Sequence, residues 1–335
     1  MFLLSPTIFL WDLAILLMMA TGLCLFFTSA VWIHDHRGAD ASPRRLYSAG
    51  LVGFIGLLGT LVVAYGSFIE PQIIVTNEYA TPFPATKPLK IAVIADMHVG
   101  PYKGAAFLER VVKRVNAELP DVILIAGDFL YDENSDLRLL EPLKDLHASL
   151  GVYGVTGNHD AGHFLSVIIR HHQPYTERDR SDELTAYLER IGITVLRNQS
   201  RILNLPNGNI AIAGTDDVWS ASHSLSGALA NIPDEIPLIL LAHNPDIILD
   251  PQSHRAQLIV AGHTHGGQFR LPFIGPIAPF PDRLGHKFDQ GLFQIDGDTT
   301  LAITRGVGET LARARLFAWP EIMILQIQKS SPAAI

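Results

Sequence analysis

Apolar and polar positions divide this chain of 335 residues into a continuously apolar N-terminal part and a longer part built from short alternating elements. Residues Leu13–Ile33 contain no charged side chain, and neither do residues Leu46–Ile69. Each run is long enough to cross the roughly 30 Å hydrocarbon layer of a bilayer as a helix. The pattern predicts a membrane anchor over residues 1–69, with transmembrane helices at about 8–33 and 46–69.

A cleaved signal peptide is the alternative for the first run, and a buried helix of a soluble protein is another. No basic residue precedes the run, and it is longer than the apolar core of a typical signal peptide. The second run, close behind the first, disfavours a buried soluble helix. The second run also contains glycines that favour close packing of membrane helices, at Gly50, Gly53, Gly56 and Gly59.

Residues 70–88 are predicted as a linker with one possible strand, Ile73–Thr76, and beyond them apolar runs alternate with amphipathic stretches. The apolar runs predict buried strands, and the amphipathic stretches predict helices. The strands lie at Leu89–Ala95, Asp121–Ala126, Val152–Thr156, Pro237–Ala242 and Gln257–Ala261, and the helices at Ala105–Glu118, Leu137–Leu146 and Glu183–Arg190. Strand, helix and strand in this spacing indicate parallel pairing through crossover helices.

Other segments indicate antiparallel pairing. Pro206-Asn207-Gly208 predicts a hairpin turn between strands at Arg201–Leu205 and Asn209–Ala213, and the C-terminal runs at 291–295, 300–304 and 322–327 predict antiparallel strands. The polar stretch Arg170–Asp182 predicts a surface insertion. The fold class predicted is α/β, with helices flanking two packed mixed β-sheets in a catalytic domain over residues 89–328, followed by a tail at 329–335.

Charge and cysteine content narrow the class of protein. The formal net charge is −8, so no nucleic-acid partner is expected. Cys24 is the only cysteine, so neither an intramolecular disulfide nor a thiolate metal site can form. The loop between the two spans contains Arg37, Arg44 and Arg45, and the segment before the first span contains no basic residue. By the positive-inside rule this loop is cytoplasmic, and the catalytic domain lies on the outer side of the membrane.

Asp, Asn and His residues occur in five groups, each directly behind a short apolar run. The groups are Asp96-Met97-His98, Gly127-Asp128, Gly157-Asn158-His159-Asp160, His243-Asn244 and Gly262-His263-Thr264-His265-Gly266-Gly267. Side chains from several strand ends can converge on one edge of a sheet, and two divalent cations that share an Asp need about seven ligands of this kind. The candidate metal ligands are Asp96, His98, Asp128, Asn158, His243, His263 and His265.

Each of these signals is weak by itself, because a lone histidine such as His243 is more often a hydrogen-bonded structural residue. Alternate residues of an extended segment share a face, so Asp96 and His98 can act together. Gly127 allows a sharp turn of the backbone into the site. The glycines at 262, 266 and 267 are expected to leave space for a phosphate. The ordered set of five groups is therefore the informative feature.

The five groups resemble the motif blocks of the calcineurin-like metallophosphoesterase superfamily. The segments Gly262–Gln268, Arg305–Gly308 and Pro320–Ile322 resemble its membrane-associated bacterial branch, which includes small phosphodiesterases and some hydrolases of UDP-diacylglucosamine. The resemblance covers roughly residues 89–328, and no ligand position departs from the pattern.

The resemblance implies how two metal ions would be held. Asp96, His98 and His265 would bind the first ion, Asn158, His243 and His263 would bind the second, and Asp128 would bridge them. Two cations about 3.5–4 Å apart around one carboxylate would activate a bridging hydroxide that attacks phosphorus. Manganese, iron, zinc and nickel ions all tolerate such a mixed set of oxygen and nitrogen ligands.

His159 and Asp160 are the predicted catalytic residues. His159 is not needed as a ligand, and as a general acid it would donate a proton to the leaving-group oxygen. Asp160 would orient that imidazole or a ligating one, and a helix N-cap is its alternative role. His163, His171 and His172 are expected at the surface or at the rim of the site.

Two further features bear on the substrate. Four arginines are candidates to hold a non-reacting phosphate or an anionic head group, with solvated surface charge as the alternative: Arg270, Arg305, Arg313 and Arg315. The apolar, proline-rich loop Leu271–Pro281 would dip into the bilayer, receive an acyl chain or face the core.

The sequence therefore predicts a metal-dependent phosphoric ester hydrolase anchored in the bacterial inner membrane. It would cleave phosphodiester or pyrophosphate bonds of a lipid-linked or cell-envelope substrate, with the membrane bilayer and that phosphate ester as its partners. A UDP-2,3-diacylglucosamine hydrolase of lipid A synthesis is the alternative, although its cytoplasmic nucleotide substrate conflicts with an outward-facing domain. A non-catalytic metal-binding membrane protein is disfavoured, because neither His159 nor any candidate ligand is missing.

Overall fold

The computed structural model describes residues 6–37, 41–85, 87–165, 174–206, 208–277 and 282–329. Several predicted features lie outside the described residues: His171, His172, the last four residues of the loop Leu271–Pro281, and almost all of the tail at 329–335. The chain divides into two compact units. One comprises Met1–Ile73 and Thr310–Leu316, and the other comprises Ile74–Glu309 and Phe317–Ile335.

The first unit is helical. It contains α1 (Pro6–Asp35) and α2 (Pro43–Ala64), followed by a π-helical turn at Tyr65–Ile69 and a 3₁₀ turn at Glu70–Gln72. Pro43 begins α2, where the missing N–H leaves no helical hydrogen bond unmade. Two segments, Ile8–Asp35 and Pro43–Gln72, are long and apolar enough to cross a membrane by length and composition.

Small residues lie between α1 and α2. A Cβ placed on Gly56 would lie 2.6 Å from the carbonyl oxygen of Gly22 and 2.9 Å from the Cβ of Leu25. A Cβ on Gly53 would lie 3.0 Å from the Cβ of Ser29, so both glycines bring the two helix backbones close together. Gly50 and Gly59, by contrast, have open space at their Cβ positions and make no such approach.

The second unit contains all sixteen strands of the described residues. They are β1 (Val75–Phe83), β2 (Leu89–Ile94), β3 (Val122–Ala126), β4 (Val152–Val155), β5 (His163–Leu165), β6 (Pro174–Thr176), β7 (Thr194–Val195), β8 (Gln199–Leu203), β9 (Ile210–Gly214), β10 (Leu238–Leu241), β11 (Leu258–Ala261), β12 (Arg270–Leu271), β13 (Gly275–Pro276), β14 (Gly291–Gln294), β15 (Thr300–Ile303) and β16 (Glu321–Lys329). The α-helices are α3 (Ala105–Ala117), α4 (Ser181–Arg190) and α5 (Leu225–Leu229). Short 3₁₀ helices lie at Leu137–Asp145, Pro245–Leu249, Pro251–Arg255, His265–Gly267 and Gly285–Phe288.

Two six-stranded mixed sheets form the framework of this unit. The first has the order β1-β16-β2-β3-β4-β7, and the second has the order β14-β15-β11-β10-β9-β8. Strands β2, β3, β4 and β7 are parallel, as are β9, β10, β11 and β15, whereas β16 runs antiparallel to β2. The C-terminal ends of four neighbouring parallel strands therefore meet at one edge of each sheet.

Three apolar clusters stack these layers together. The cluster between the sheets includes Val93 and Leu124 of the first sheet and Ile212 and Val260 of the second. A second cluster joins α3, α4 and the 3₁₀ helix at Leu137–Asp145 to the outer face of the first sheet. A third includes Leu225 of α5 on the outer face of the second sheet. Because both faces of each central strand are buried, the strands are continuously apolar.

The predicted fold class is confirmed, since two mixed sheets flanked by helices are present. Three predicted details differ. The segment 70–88, predicted as a linker, contains the nine-residue strand β1; this strand is half polar because it lies at the sheet edge, where Pro82 is also tolerated. The helix predicted at Leu137–Leu146 is a 3₁₀ helix with Pro142 inside, which removes a backbone donor. The C-terminal strands β15 and β16 each have one parallel and one antiparallel neighbour.

Candidate metal centre

The predicted metal ligands lie directly behind parallel strands of both sheets. Asp96 and His98 follow β2, Asp128 follows β3 and Asn158 follows β4, while His243 follows β10 and His263 and His265 follow β11. All seven side chains are buried. The seven residues span positions 96 to 265 of the chain, and the two sheets bring them together at one edge of the sandwich.

The first group of candidate ligands comprises Asp96, His98 and His265, whose ligand atoms all lie within 4.8 Å of one another. The Nε2 atoms of His98 and His265 are 3.1 Å apart. His265 Nε2 lies 3.9 Å from Asp96 Oδ1. This is the set that the resemblance assigns to one metal ion.

The second group comprises Asp128, His243 and His263, again within 4.8 Å of one another. His243 Nε2 lies 3.2 Å from Asp128 Oδ2, and Asn158 Oδ1 lies 3.0 Å from both His243 Nε2 and His263 Nδ1. Asp128 Oδ2 is also 3.5 Å from His98 Nε2 of the first group. Asp128 therefore lies between the two groups.

Backbone carbonyl groups set the orientation of the side chains. The Nδ1 atom of His243 lies 2.7 Å from the carbonyl oxygen of Ala126, and that of His98 lies 3.2 Å from the carbonyl oxygen of Leu130. Because a carbonyl oxygen only accepts, each Nδ1 carries a proton and each ring turns its Nε2 towards the cluster. Asn158 Nδ2 donates to the carbonyl oxygen of His163 at 2.7 Å, which turns Oδ1 inward.

This arrangement fits a metal cation. The Nδ1 atom of His263 faces the cluster, 3.0 Å from Asn158 Oδ1 and 3.2 Å from His243 Nε2. Imidazole nitrogens lie 3.0–3.5 Å from carboxylate and carboxamide oxygens, a donor set and spacing that suit a divalent cation. The donor set has the composition that several transition metals accept.

The backbone at the site is strained. Five of the seven candidate ligands have a positive φ without being glycine: Asp96 (53°), His98 (43°), Asp128 (52°), His263 (69°) and His265 (52°). Such residues typically cost about 1–3 kcal/mol each and occur where the surroundings enforce them, often at functional sites. Gly127 precedes Asp128 with φ 82°, as its predicted turn requires.

His159 lies at the rim of the cluster. Its backbone N–H donates to Asp128 Oδ1 at 2.9 Å, and its Nδ1 lies 2.7 Å from the carbonyl oxygen of Tyr131. The ring centroid is 4.5 Å from that of His98. Unlike the seven candidate ligands, His159 is partly exposed. Its Nδ1 is occupied by the carbonyl group, so Nε2 is the atom with which it can exchange a proton with a bound molecule.

The contacts of Asp160 differ from the prediction. Its carboxylate accepts hydrogen bonds from the backbone N–H groups of Gly157 (2.9 Å), Leu130 (2.9 Å) and Phe129 (3.3 Å), and from no imidazole in the part of the chain that the structure describes. Burial, and then the charge of Asp128, raises the pKa of Asp160 to about 7. Asp160 is thus a positioning residue that joins the loop after β3 to the loop after β4.

The electrostatic environment differs from one imidazole of the cluster to another. Burial lowers the pKa of His243, but Asp128, Asp96 and Asp217 more than offset this effect and raise the pKa to about 10. Burial raises the pKa of Asp128, yet the neighbouring imidazoles of His243 and His159 hold it well below its usual value. Burial together with the charge of His159 lowers the pKa of His98 to about 3.

Two residues near the site were not predicted from the sequence. Asp217, three residues behind β9, is buried, and burial raises its pKa to about 6. The rings of Trp219 and His263 are nearly perpendicular, with centroids 4.9 Å apart. Gly214-Thr215-Asp216-Asp217 directly follows an apolar run, which is the same signal that revealed the other five groups.

Two of the four candidate arginines lie against Gly266, next to the candidate ligand His265, and each is held in an ion pair. Arg270 forms an ion pair with Asp289 at 2.6 Å, and Arg305 forms one with Glu321 at 3.3 Å. Arg313 and Arg315 belong to the helical unit.

Gly262, which was expected to leave space for a phosphate, has a different role. A Cβ on Gly262 would lie 2.9 Å from Asp96 Oδ2, so this glycine makes room for a candidate ligand.

Comparison with known proteins agrees with this geometry. The sequence profile described as calcineurin-like phosphoesterase matches residues 89–267, more than half of the chain. The chain belongs to the calcineurin-like phosphoesterase family. This metallophosphoesterase is therefore a phosphoric ester hydrolase, and the predicted family resemblance is confirmed. Members of the family use divalent metal ions, and the clustered His and Asp side chains agree with that.

Three relatives of this phosphoesterase are similar over most of their length. The chain is 29% identical to the metallophosphoesterase YkuE of Bacillus subtilis over 302 residues, covering 86% of this chain and 98% of YkuE. It is 30% identical to the phosphodiesterase YaeI of Escherichia coli, covering 72% of this chain and 82% of YaeI. It is 26% identical to the UDP-2,3-diacylglucosamine pyrophosphatase LpxG of Chlamydia muridarum, covering 71% and 83%.

Proposed function

We propose that this phosphoesterase hydrolyses phosphodiester or pyrophosphate bonds of a lipid-linked or cell-envelope substrate, with two divalent cations at the metal centre. The position of Asp128 supports the proposal most directly, since its carboxylate lies 3.2 Å from His243 and 3.5 Å from His98. A carboxylate between two ligand groups is the arrangement that lets one side chain bridge two cations. The ligands of the first would be Asp96, His98 and His265, and those of the second Asn158, His243 and His263.

The protein's own residues would orient the substrate and move one proton. When bound, divalent cations supply a water of lowered pKa and offset negative charge on the phosphoryl oxygens. His159, partly exposed beside the cluster, would donate its Nε2 proton to the leaving-group oxygen as the bond to phosphorus breaks. Tyr131 holds that ring through its carbonyl oxygen, and Asp160 keeps the loops that carry Asp128 and His159 together.

The two apolar helices support anchoring in the inner (plasma) membrane as a multi-pass protein. Three arginines between the helices, Arg37, Arg44 and Arg45, favour a cytoplasmic loop and therefore a catalytic domain on the periplasmic or extracellular side. The relative YaeI is called a phosphodiesterase, which favours a diester as the bond cleaved.

A substrate comparison with the full-length protein in detergent tests the proposal. With added Mn²⁺, the protein should hydrolyse the diester bis(p-nitrophenyl) phosphate and lipid pyrophosphates faster than matched monoesters. Asp128→Asn should bind less metal by elemental analysis and lose this activity, whereas Asp298→Asn, on the exposed turn between β14 and β15, should retain both. Preference for monoesters, or full metal content in Asp128→Asn, would contradict it.

Cleavage of UDP-2,3-diacylglucosamine is the second candidate function. The 26% identity to LpxG, a UDP-2,3-diacylglucosamine pyrophosphatase, favours it. This substrate carries a nucleotide made in the cytoplasm, so the catalytic domain would have to face inward. Fusion of a reporter to the C-terminus separates the two functions. Alkaline phosphatase activity supports the outward orientation, and fluorescence of a reporter that folds only in the cytoplasm supports the nucleotide substrate.

A further inference from the structure

One surface beside the metal centre exposes several large apolar side chains. The apolar patch consists of Leu271, Pro272, Phe273, Ile274, Phe317 and Trp319, which line a depression of about 600 Å³. Phe273 is fully exposed (109%) and Ile274 is 73% exposed. Single exposed apolar residues are common, but a contiguous group of this kind marks an interaction surface.

The tip of the patch points outward in an unfavourable backbone conformation. The loop is a short hairpin in which Leu271 pairs with Gly275, and Ile274 N–H donates to the carbonyl oxygen of Leu271 at 3.2 Å. At its tip Phe273 has φ 66°, a left-handed conformation that an aromatic residue rarely adopts. The ring of Phe273 extends into solvent, and no contact with the described residues offsets the cost of this turn.

The hairpin is attached to the segment that carries the candidate ligands. Arg270 donates to the carbonyl oxygen of Gly266 at 2.7 Å and pairs with Asp289 at 2.6 Å. The hydroxyl of Thr264 donates to the carbonyl oxygen of Asp289 at 2.7 Å. Gly266 and Thr264 flank His265, so the base of the hairpin is part of the wall of the metal centre.

Composition and covalent connection indicate which surface the patch contacts. The seven residues Leu271–Ile277 carry no charge, and the charged residues that line the depression, Arg270 and Asp289, neutralise each other in an ion pair of 2.6 Å. Phe317 directly follows Thr310–Leu316, a segment that belongs to the unit with the two apolar helices. Trp319 adds an indole ring, the side chain that is enriched where a membrane meets water.

We propose that the apolar patch inserts into the surface of a lipid bilayer, so that the metal centre works on phosphoesters whose apolar part remains in the membrane. This inference rests on the proposed function for its substrate, but the contact with lipid can be measured without any turnover. The hairpin that would give the enzyme its specificity for lipids lies outside the motif blocks.

Fluorescence quenching tests the contact in the full-length protein reconstituted into vesicles of phosphatidylethanolamine and phosphatidylglycerol. Cys24→Ala provides a background without cysteine, into which Phe273→Cys is introduced and labelled with the dye NBD. Leu119→Cys is the matched control, because Leu119 is 82% exposed and precedes β3, at the end of the first sheet opposite the metal centre. Lipids with a doxyl quencher should reduce the emission at position 273 and leave that at 119 unchanged. Equal quenching at both positions, or none at 273, would overturn the proposal.

A kinetic comparison tests the consequence for catalysis. The double variant Phe273→Ser and Ile274→Ser should hydrolyse soluble bis(p-nitrophenyl) phosphate at the wild-type rate and lose activity on a phosphodiester lipid embedded in the same vesicles. Leu119→Ser should change neither rate. If the double variant retained its rate on the embedded lipid, the patch would have no role in substrate access. A wild-type protein inactive on the soluble diester would contradict the proposed function instead, while the quenching result would still decide the lipid contact.

Discussion

The imidazole of His243 lies 3.2 Å from the carboxylate of Asp128, and both side chains are fully buried. His243 comes from the second sheet and Asp128 from the first, so their contact joins the two halves of the sandwich at its edge. Their charges are coupled, since Asp128 contributes to raising the pKa of His243 to about 10. A proton on His243 and a metal cation beside Asp128 therefore compete for the same negative field.

Metal binding should release a proton from His243. With a pKa near 10, the metal-free imidazole is protonated at pH 7, and coordination through Nε2 requires that proton to leave. The affinity for Mn²⁺ should accordingly rise as the pH increases towards 10. Titration calorimetry in buffers of different ionisation enthalpy measures the proton, and His243→Asn should release less of it. A binding enthalpy that is the same in every buffer would refute this expectation.

The stability of the metal-free protein should change with pH in the opposite direction. A folded-state pKa raised above the ordinary value of about 6.5 means that the pair stabilises the fold fully below that pH. The stabilisation is lost as the pH rises through about 10. Between pH 6 and pH 10, the free energy of unfolding measured with urea in EDTA should fall more for the wild type than for His243→Asn.

Removal of the general acid should slow turnover without removing metal. His159→Ala is expected to lower kcat by roughly 10²–10⁴, the usual contribution of a positioned proton donor. The loss should be smaller for a p-nitrophenyl ester than for an alkyl ester, because p-nitrophenolate leaves with little protonation. His163→Ala serves as the control, since only the backbone carbonyl of His163 contacts Asn158. Equal losses for both esters would exclude the role.

Substitution of Gly306 should disturb the metal centre through Asp96. Gly306 has φ 66°, and an added Cβ would clash with the Asp96 carboxyl group. Gly306→Ala is expected to destabilise the fold by more than about 1 kcal/mol and to reduce the bound metal. Gly297→Ala is the matched control, because a Cβ there meets no atom within 4 Å. Unfolding curves and elemental analysis measure the two effects, and similar values for both variants would contradict the expectation.

Substitution of Gly56 should separate the two apolar helices. An added side chain would meet the backbone of Gly22 at 2.6 Å, whereas the Cβ position of Gly59 is open. Gly56→Leu should therefore lower the thermal stability of the detergent-solubilised protein, while Gly59→Leu should leave it close to the wild type. If both variants melted at the same temperature, the observed helix contact would not contribute to stability.

The strands that carry the candidate ligands were predictable to within one or two residues, because central strands buried on both faces are continuous apolar runs. Strand β2, predicted at Leu89–Ala95, spans Leu89–Ile94, and β11, predicted at Gln257–Ala261, spans Leu258–Ala261. Strand β1 was mostly missed, because an edge strand such as Val75–Phe83 is half exposed and lacks that signal. The antiparallel direction of β16 relative to β2 agrees with the prediction, whereas its parallel pairing with β1 could not be predicted, because pairing partners are not encoded in hydrophobic periodicity.

The sequence by itself determined the family, the two sheets and the seven candidate ligands, because strand-end Asp and His residues are local patterns. Tertiary structure alone decided where each side chain points. Asp160, predicted to orient an imidazole, instead accepts hydrogen bonds from three backbone N–H groups. Asp217 lies beside His243, although its strand, predicted at Asn209–Ala213, was not among those expected to carry site residues. Such contacts depend on how distant loops fold against each other, and no property of a single segment determines them.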